Sequence, residues 1–555
     1  MTERSAVRML WSRLRGRRQA KLVAAQADRT LGGYASPTFA HRHRKKLLLL
    51  FGLALLLYSM LFTLIGRFMV LQFLAPLMAM ILLVIWMLPE ARQVPTHWLG
   101  RLGVAFMIAL LCWPDYLAFA LPGLPWLTAI RIVTVPLALV MLFCLSVSRA
   151  FRAEMKELMT GLPMVWQGVV AFAVIALISI VFSRDIGLSV NKFVVAQLTW
   201  TLPFFIAIYV FRQPNRATQF GYFLWAIVLF VCLIGIQEWR HSVVPWAGHI
   251  PSFLKIEDEN VQRILSGSSR AATGIYRVQS KFTTPLGFAE FLALSAPFIL
   301  HIMMRSKNLL IIVAAALTLA LQFWCIRLTD SRLGVVGFFM TFLLYMLVWG
   351  GLRWYRDRDS LFGPAVVIAY PITLGAFFAA TLFVGRLNAM VWGTGAQQFS
   401  TESRKVQVAM GLPKIFKAPW GNGIGRGAEE LGFTNLAGIL TIDTYYLLVA
   451  LEFGILGFII YFGMIIAAII GGGKQLIRVR AADADGAMLA PLLIALTNFL
   501  VIKSIFSQQE NHPLAFVMMG AVVVLAWRIK KQRDSSSIVL PPTAALRTMA
   551  RRNLF

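Results

Sequence analysis

Apolar stretches of roughly 17–25 residues follow one another along most of the chain, and a helix of that length crosses about 30 Å of hydrocarbon. In lipid, every backbone N–H and C=O needs an internal partner. Continuous apolar runs can therefore span only as helices, because closed barrels show alternation instead. The 555 residues are 59% hydrophobic and 14% charged, with a mean hydropathy of +0.72; a soluble chain of this size carries more polar surface. The expected fold class is all-α, a polytopic transmembrane helical bundle of about 12–14 spans.

Fourteen candidate spans can be drawn: 47–65, 68–88, 102–120, 125–148, 164–183, 193–211, 218–237, 285–304, 309–327, 333–350, 361–385, 444–472, 487–506 and 513–528. With the N-terminus in the cytoplasm and sides alternating, the inner connections receive Arg92 and Arg101, Arg149 to Lys156, Arg212 and Arg216, Arg305 and Lys307, Arg353 to Arg358, and Lys474 to Arg480. Each is short and basic, as the orientation rule requires. The expected order is a basic cytoplasmic tail (1–46), N-terminal transmembrane helices (47–237), a long outer loop (238–284), central helices (285–385), a second long outer loop (386–443), C-terminal helices (444–528) and a cytoplasmic tail (529–555).

The net charge is +29. Because the basic residues flank membrane segments, the excess reads as topology rather than as a nucleic-acid surface. The first 46 residues hold twelve Lys/Arg against Glu3 and Asp28. Residues 4–22 suit a basic amphipathic helix on an anionic leaflet, and equally a disordered topogenic tail. No short apolar core with a small-residue cleavage site follows, so no cleaved signal peptide is expected. Cys112, Cys144, Cys232 and Cys325 all fall in apolar stretches without metal-ligand spacing and are expected to be buried small hydrophobes.

Candidate chemistry gathers on the outer side. The first long loop carries Arg270 and Arg277 before Pro285; the next outer turn carries Asp330-Ser331-Arg332. The second long loop carries Ser403-Arg404 and the run Pro419-Trp420-Gly421-Asn422-Gly423-Ile424-Gly425-Arg426-Gly427, and Asp443 stands at its exit. Arginine forks bind diphosphate oxygens and stabilise a departing diphosphate, and a carboxylate can accept the proton of an attacking hydroxyl. Structural readings stand beside these. The loop arginines are otherwise solvated charges, and Ser331 and Asp443 are otherwise helix caps. The glycine run is otherwise a tight packing turn, and Gly454 and Gly457 allow close helix approach. Arg131, Glu290 and Glu452, inside spans, should face the bundle interior. His241, His249 and His512 read as outer-surface residues.

Asp443-Thr444, nine residues, then Gly454-Ile455-Leu456-Gly457 resembles the signature of the O-antigen ligase and polymerase superfamily, where a His-led polar pair usually precedes nine residues and Gly-x-x-Gly. The Arg277-to-Pro285 stretch, Ser331-Arg332 and the Pro419-to-Gly425 run resemble three further motifs of that family, in the same order. The resemblance covers about residues 265–470. It implies a bacterial inner-membrane glycosyltransferase, multi-pass with cytoplasmic termini and two long periplasmic loops. It also implies an undecaprenyl-diphosphate-linked oligosaccharide donor, a glycan acceptor, contact with other polysaccharide-assembly proteins, inverting chemistry, and neither metal nor cofactor. On this reading Asp443, Arg332 and Arg277 are the catalytic residues, while Arg270, Arg404, Arg426, Gly423 and Gly425 hold diphosphate or substrate. Asp443 stands where the family commonly has a histidine, a change that favours a repeat-unit polymerase over a ligase to lipid A-core. A lipid-linked sugar flippase would depend instead on its intramembrane charges, and a non-catalytic assembly protein would tolerate loss of Asp443 and Arg332.

Overall fold

The computed structural model describes residues 43, 46–50, 52–53, 80–88, 90–91, 94–119, 126–254, 258–269, 274–385, 388, 398–435, 438–480 and 482–538. The chain forms two units, Met1–Ala91 and Arg92–Phe555. In the first, helical residues are described at 46–50, 52–53 and 80–87. The expected basic helix at 4–22 and most of the spans at 47–65 and 68–88 lie outside the described residues.

In the second unit the order is α1 (His97–Cys112), a hairpin of β1 (Ala118–Phe119) and β2 (Leu127–Thr128), α2 (Ala129–Val147), α3 (Arg149–Met159), α4 (Pro163–Ser179), α5 (Ile186–Ala196), α6 (Leu202–Val210) and α7 (Arg216–His241). The first long loop folds into α8 (Glu259–Leu265) and a hairpin of β3 (Ser268–Ser269) and β4 (Tyr276–Arg277). Then come α9 (Pro285–Arg305), α10 (Leu309–Leu328), α11 (Arg332–Arg356) and α12 (Phe362–Phe383). The second long loop holds α13 (Gln398–Lys417) and α14 (Gly427–Leu431), and the chain continues with α15 (Tyr445–Leu476), α16 (Ala484–Ala487), α17 (Leu489–Lys503) and α18 (His512–Ile538). Among the described residues, eleven helical segments are long and apolar enough to cross a membrane. This is an all-α polytopic bundle.

Local sequence sets several helix boundaries. Thr128, Ser148, Asp185, Thr284, Asn308 and Ser331 each accept an amide of the first turn of the helix that follows, which satisfies one of four orphan donors. The expected span 102–120 is corrected: α1 ends at Cys112. Trp113 precedes Pro114, whose ring excludes helical backbone at the residue before it. The short α3 buries Phe151, Met155 and Leu158 on one face, and its Glu154 and Glu157 pair with Arg212 and Lys531 at 3.2 and 2.9 Å.

The centre of the bundle is α9, α17 and α18, whose apolar windows are 89%, 83% and 89% buried; α12, at 6%, is peripheral. Polar side chains lock this centre. Asn498 Nδ2 donates to Ala293 O, Gly337 O and Thr341 Oγ1 at 3.3, 3.1 and 2.9 Å, joining α17 to α9 and α11. At one end of the bundle Asp485 accepts from Thr218 N at 2.9 Å and pairs with Arg528 at 2.6 Å, which ties the starts of α7 and α16 to α18. Glu290 (0% exposed) and Glu452 (2%) face the interior as expected. Arg131 is half-buried in the first turn of α2, its guanidinium donating to Trp126 O at 2.8 Å and interacting electrostatically with Asp115. Cys144, Cys232 and Cys325 are buried thiols and Cys112 is half-buried.

The long helix α15 breaks at Gly454, with φ 71° and ψ −173°. The Ile455 amide, which a straight helix would direct to Leu451 O, donates instead to Pro419 O at 3.1 Å, while Leu451 O accepts from Asn422 N at 3.0 Å. The glycine-rich loop thus exchanges backbone bonds with the broken helix, which requires close approach. A Cβ on Gly454 would overlap Pro419 O, and one on Gly421, itself at φ 87°, would overlap Glu452 O. Gly454→Ala should therefore lower stability by at least about 1–3 kcal/mol. Gly463→Ala, in the same helix with nothing within 4 Å of its Cβ, should not. Thermal unfolding of the two variants in detergent checks this, and equal melting temperatures would refute the packing argument.

Candidate active site

The described candidate residues lie in separate groups on segments at the bundle end opposite Asp485. Glu238, fully buried near the C-terminus of α7, organises the segment after β4. Its carboxylate accepts Gln279 N at 3.1 Å, Ser280 N, and Tyr276 Oη–H at 2.8 Å. Ser280 adopts a left-handed backbone, φ 55°, and donates its hydroxyl to Val231 O at 2.8 Å. A carboxylate with three donors pulls this loop onto the bundle and fixes the direction of the hairpin. Arg277 then lies against the α10–α11 turn: Val278 N donates to Leu328 O at 3.1 Å, and Arg277 Nε donates to Thr329 O at 2.9 Å. In that turn Asp330 has φ 49°, and Ser331 Oγ accepts Gly334 N at 3.1 Å, so Ser331 caps the helix that Arg332 opens. The fold thereby places two half-buried arginines, Arg277 and Arg332, on adjoining segments.

Asp443 belongs to a second group. Its amide donates to Gln407 Oε1 at 2.9 Å, and Gln407 Nε2 donates to its carboxylate at 3.2 Å. Arg404, one turn before Gln407 on α13, interacts electrostatically with the same carboxylate. Burial pushes the Asp443 carboxyl above the ordinary aspartate value, opposed by Arg404 and the Gln407 bond. Burial likewise lowers the Arg404 guanidinium, opposed by Asp443. The N-cap of α15 is Thr444, and no side chain caps that helix. The Asp443 carboxylate is held by α13 rather than by the first turn of α15.

A third group, which the sequence reading passed over, joins α9 to α15. It is the turn between α17 and α18. Glu510 Oε1 accepts Thr283 N at 3.0 Å, Asn511 Nδ2 donates to Gly287 O at 2.9 Å, and Lys503 pairs with Glu290 at 2.7 Å with both side chains fully buried. Lys503 also donates to Gln508 O and stands 5.6 Å from the Tyr445 ring centroid. His512 is 0% exposed, which corrects its reading as a surface residue. Its ring packs against Tyr445 at 4.5 Å, Trp200 at 5.1 Å and Phe499 at 5.2 Å. His241 and His249 are exposed as expected. Lys281, also buried, donates to Leu110 O at 2.6 Å. Burial lowers its ammonium, with Asp115 and Glu510 opposing, and burial pushes the Glu510 carboxyl up to about 7 against Lys281. One available signal was a pair of opposite charges in two separate apolar stretches, Lys503 in one and Glu290 in the other.

The glycine run takes up a fourth position. Gly421, Gly423 and Gly425 all have positive φ, at 87°, 94° and 85°. Gly423 N donates to Glu452 O at 3.1 Å and Gly427 N to Glu452 Oε1 at 3.2 Å; Ser189 Oγ donates to Ile424 O at 3.0 Å. The amides of Gly423 and Gly427 therefore engage Glu452 and hold the loop to the broken helix. Arg426 pairs with Glu429, three residues on. Arg270 lies outside the described residues. Among the described residues, no three His, Cys, Asp or Glu side chains are grouped to hold a metal ion.

The stretch that carries Ser331-Arg332, Arg404, the glycine run and Asp443 coincides with a known family. Residues 317–462 match the model of the O-antigen ligase family. No curated protein matches the chain. Arg277 and the α17–α18 turn lie outside the matched residues but pack onto segments at its edges. Residues 317–462 of this bundle of membrane-spanning helices thus carry an O-antigen ligase domain, which supports a likeness to the O-antigen ligase-like superfamily.

Proposed function

We propose that the protein is a membrane glycosyltransferase that polymerises undecaprenyl-diphosphate-linked oligosaccharide repeat units into surface polysaccharide or exopolysaccharide, working at the outer face of the inner membrane. Two observations support this reading: Arg277 bonds Thr329 O in the turn that leads into Arg332, and Asp443 is held by Gln407, beside and within the O-antigen ligase match.

The lipid tail of the donor lies in the bilayer and its diphosphate at the headgroup level. Arg277 and Arg332 bind the diphosphate oxygens as forks, with Arg270, Arg404 and Arg426 in support. The acceptor hydroxyl gives its proton to the Asp443 carboxylate, and its oxygen forms the bond to the anomeric carbon. The bond from that carbon to the diphosphate breaks with inversion, and its electron pair leaves on the diphosphate, where the arginines stabilise it. The raised Asp443 pKa makes the carboxylate a stronger base than a solvated aspartate. Arg404 opposes that rise by favouring the ionised carboxylate.

Cells lacking the protein, restored with wild type, Asp443→Asn or Arg332→Ala, test this when lipid-linked glycan and surface polymer are assayed together. The expected result is that the null and both variants, at normal expression, accumulate single lipid-linked repeat units at the outer face and lose long polymer. Accumulation of finished lipid-linked chains would make the protein a ligase to lipid A-core instead. Wild-type behaviour of both variants would move the role to transport or assembly.

A further inference from the structure

The bundle contains a second feature far from the candidate active site. Between α1, α2, α6, α7 and α18 the helices leave a cavity of ≈ 140 Å³. Its wall is apolar, with Val104, Ile206, Val210 and Phe220 prominent, and its two polar lining residues are Arg216 and Gln219. Arg216 opens α7 and Glu238 lies near the other end of the same helix. Twenty-two residues of helix separate them by about 33 Å, so the cavity mouth and the candidate active site sit at opposite membrane surfaces. The Arg216 guanidinium is solvent-exposed and bonds to two neutral amides, Gln213 Oε1 and Gln219 Oε1, both at 3.1 Å. Its neighbour Arg212 is by contrast neutralised by Glu154 at 3.2 Å. Val104, 47% exposed, opens the side of the cavity outward.

An apolar slot with an exposed cation at its mouth, at the headgroup level, has the form of an amphiphile site. The slot accepts hydrocarbon, and a guanidinium held by neutral partners retains its full charge for a phosphate. We propose that this cavity binds an anionic diacyl glycerophospholipid of the leaflet opposite the candidate active site, with part of one acyl chain in the slot and its phosphate on Arg216. The site stands apart from the glycosyl-transfer reading and does not depend on it.

The test is native mass spectrometry of the full-length protein in detergent, supplied with equal amounts of phosphatidylglycerol and phosphatidylethanolamine. Wild type should retain one phosphatidylglycerol in preference to phosphatidylethanolamine, whose phosphate is balanced by its own ammonium, by about tenfold, the ratio that a difference of about 1.4 kcal/mol gives. Arg216→Gln should abolish that preference. Val104→Trp, which fills the slot from its exposed side, should lose the retained lipid altogether. Gly103→Leu, whose side chain would grow toward Ile206 and Val210, serves in its place if the tryptophan variant does not fold. Equal retention of the two lipids by wild type, or full retention by the slot-filling variant, overturns the proposal.

Discussion

Asp443→Asn is expected to lower the rate of glycan transfer by about 10²- to 10⁴-fold, the range that a positioned general base contributes, with unchanged thermal stability. The stability should hold because the backbone bond from Asp443 N to Gln407 Oε1 does not involve the carboxylate, and an asparagine oxygen can still accept from Gln407 Nε2. The pH dependence follows from the same group. A base must be ionised to act, so the rate falls as pH drops through the Asp443 pKa, and burial places that acid limb above the ordinary aspartate value. Arg404 attracts the ionised form. Arg404→Gln therefore raises the Asp443 pKa further and moves the acid limb to higher pH. Turnover of a purified lipid-linked donor, measured as kcat/KM against pH for wild type and both variants, decides the matter. A wild-type rate in Asp443→Asn, or an acid limb that stays in place without Arg404, would remove Asp443 from the role of base.

The largest expected effect on stability comes from Lys503. Its removal as Lys503→Met leaves Glu290 fully buried without its cation and Gln508 O without its donor, and breaking one half of a buried pair costs about 3–5 kcal/mol. The double variant Glu290→Gln/Lys503→Met should recover most of that loss. No charge is then stranded, and the glutamine can still accept from Asn511, which bonds Glu290 in the native protein. Unfolding midpoints of the two variants and wild type in one detergent provide the comparison. A single variant as stable as wild type would mean that the pair does not hold α9 to α17.

Much of this architecture was legible along the chain. The spans follow from the number of apolar residues needed to cross hydrocarbon, and many of their limits follow from single capping residues such as Thr284 and Ser331. The candidate residues could be placed on one side because basic connections assign a side to each loop. Contacts in the structure do join Arg277 to the α10–α11 turn and Asp443 to α13. Where the reading failed, local pattern was the wrong guide. Span 102–120 was drawn by hydropathy, whereas Pro114 ends the helix at Cys112. His512 looked like a surface residue because it follows an outer turn, yet four aromatic side chains from other parts of the chain enclose it.

The sequence by itself determined that the chain is a membrane helical bundle, and which loops carry arginine, glycine and aspartate, because these depend on composition and spacing within a few turns. Only the tertiary structure decided what those residues meet. That Lys503 answers Glu290 across more than two hundred positions, and that the glycine loop replaces the backbone partners of a helix broken at Gly454, are outcomes of packing. A buried charge or an opened helix bond must be satisfied by whatever the fold brings beside it, and no local pattern names that partner.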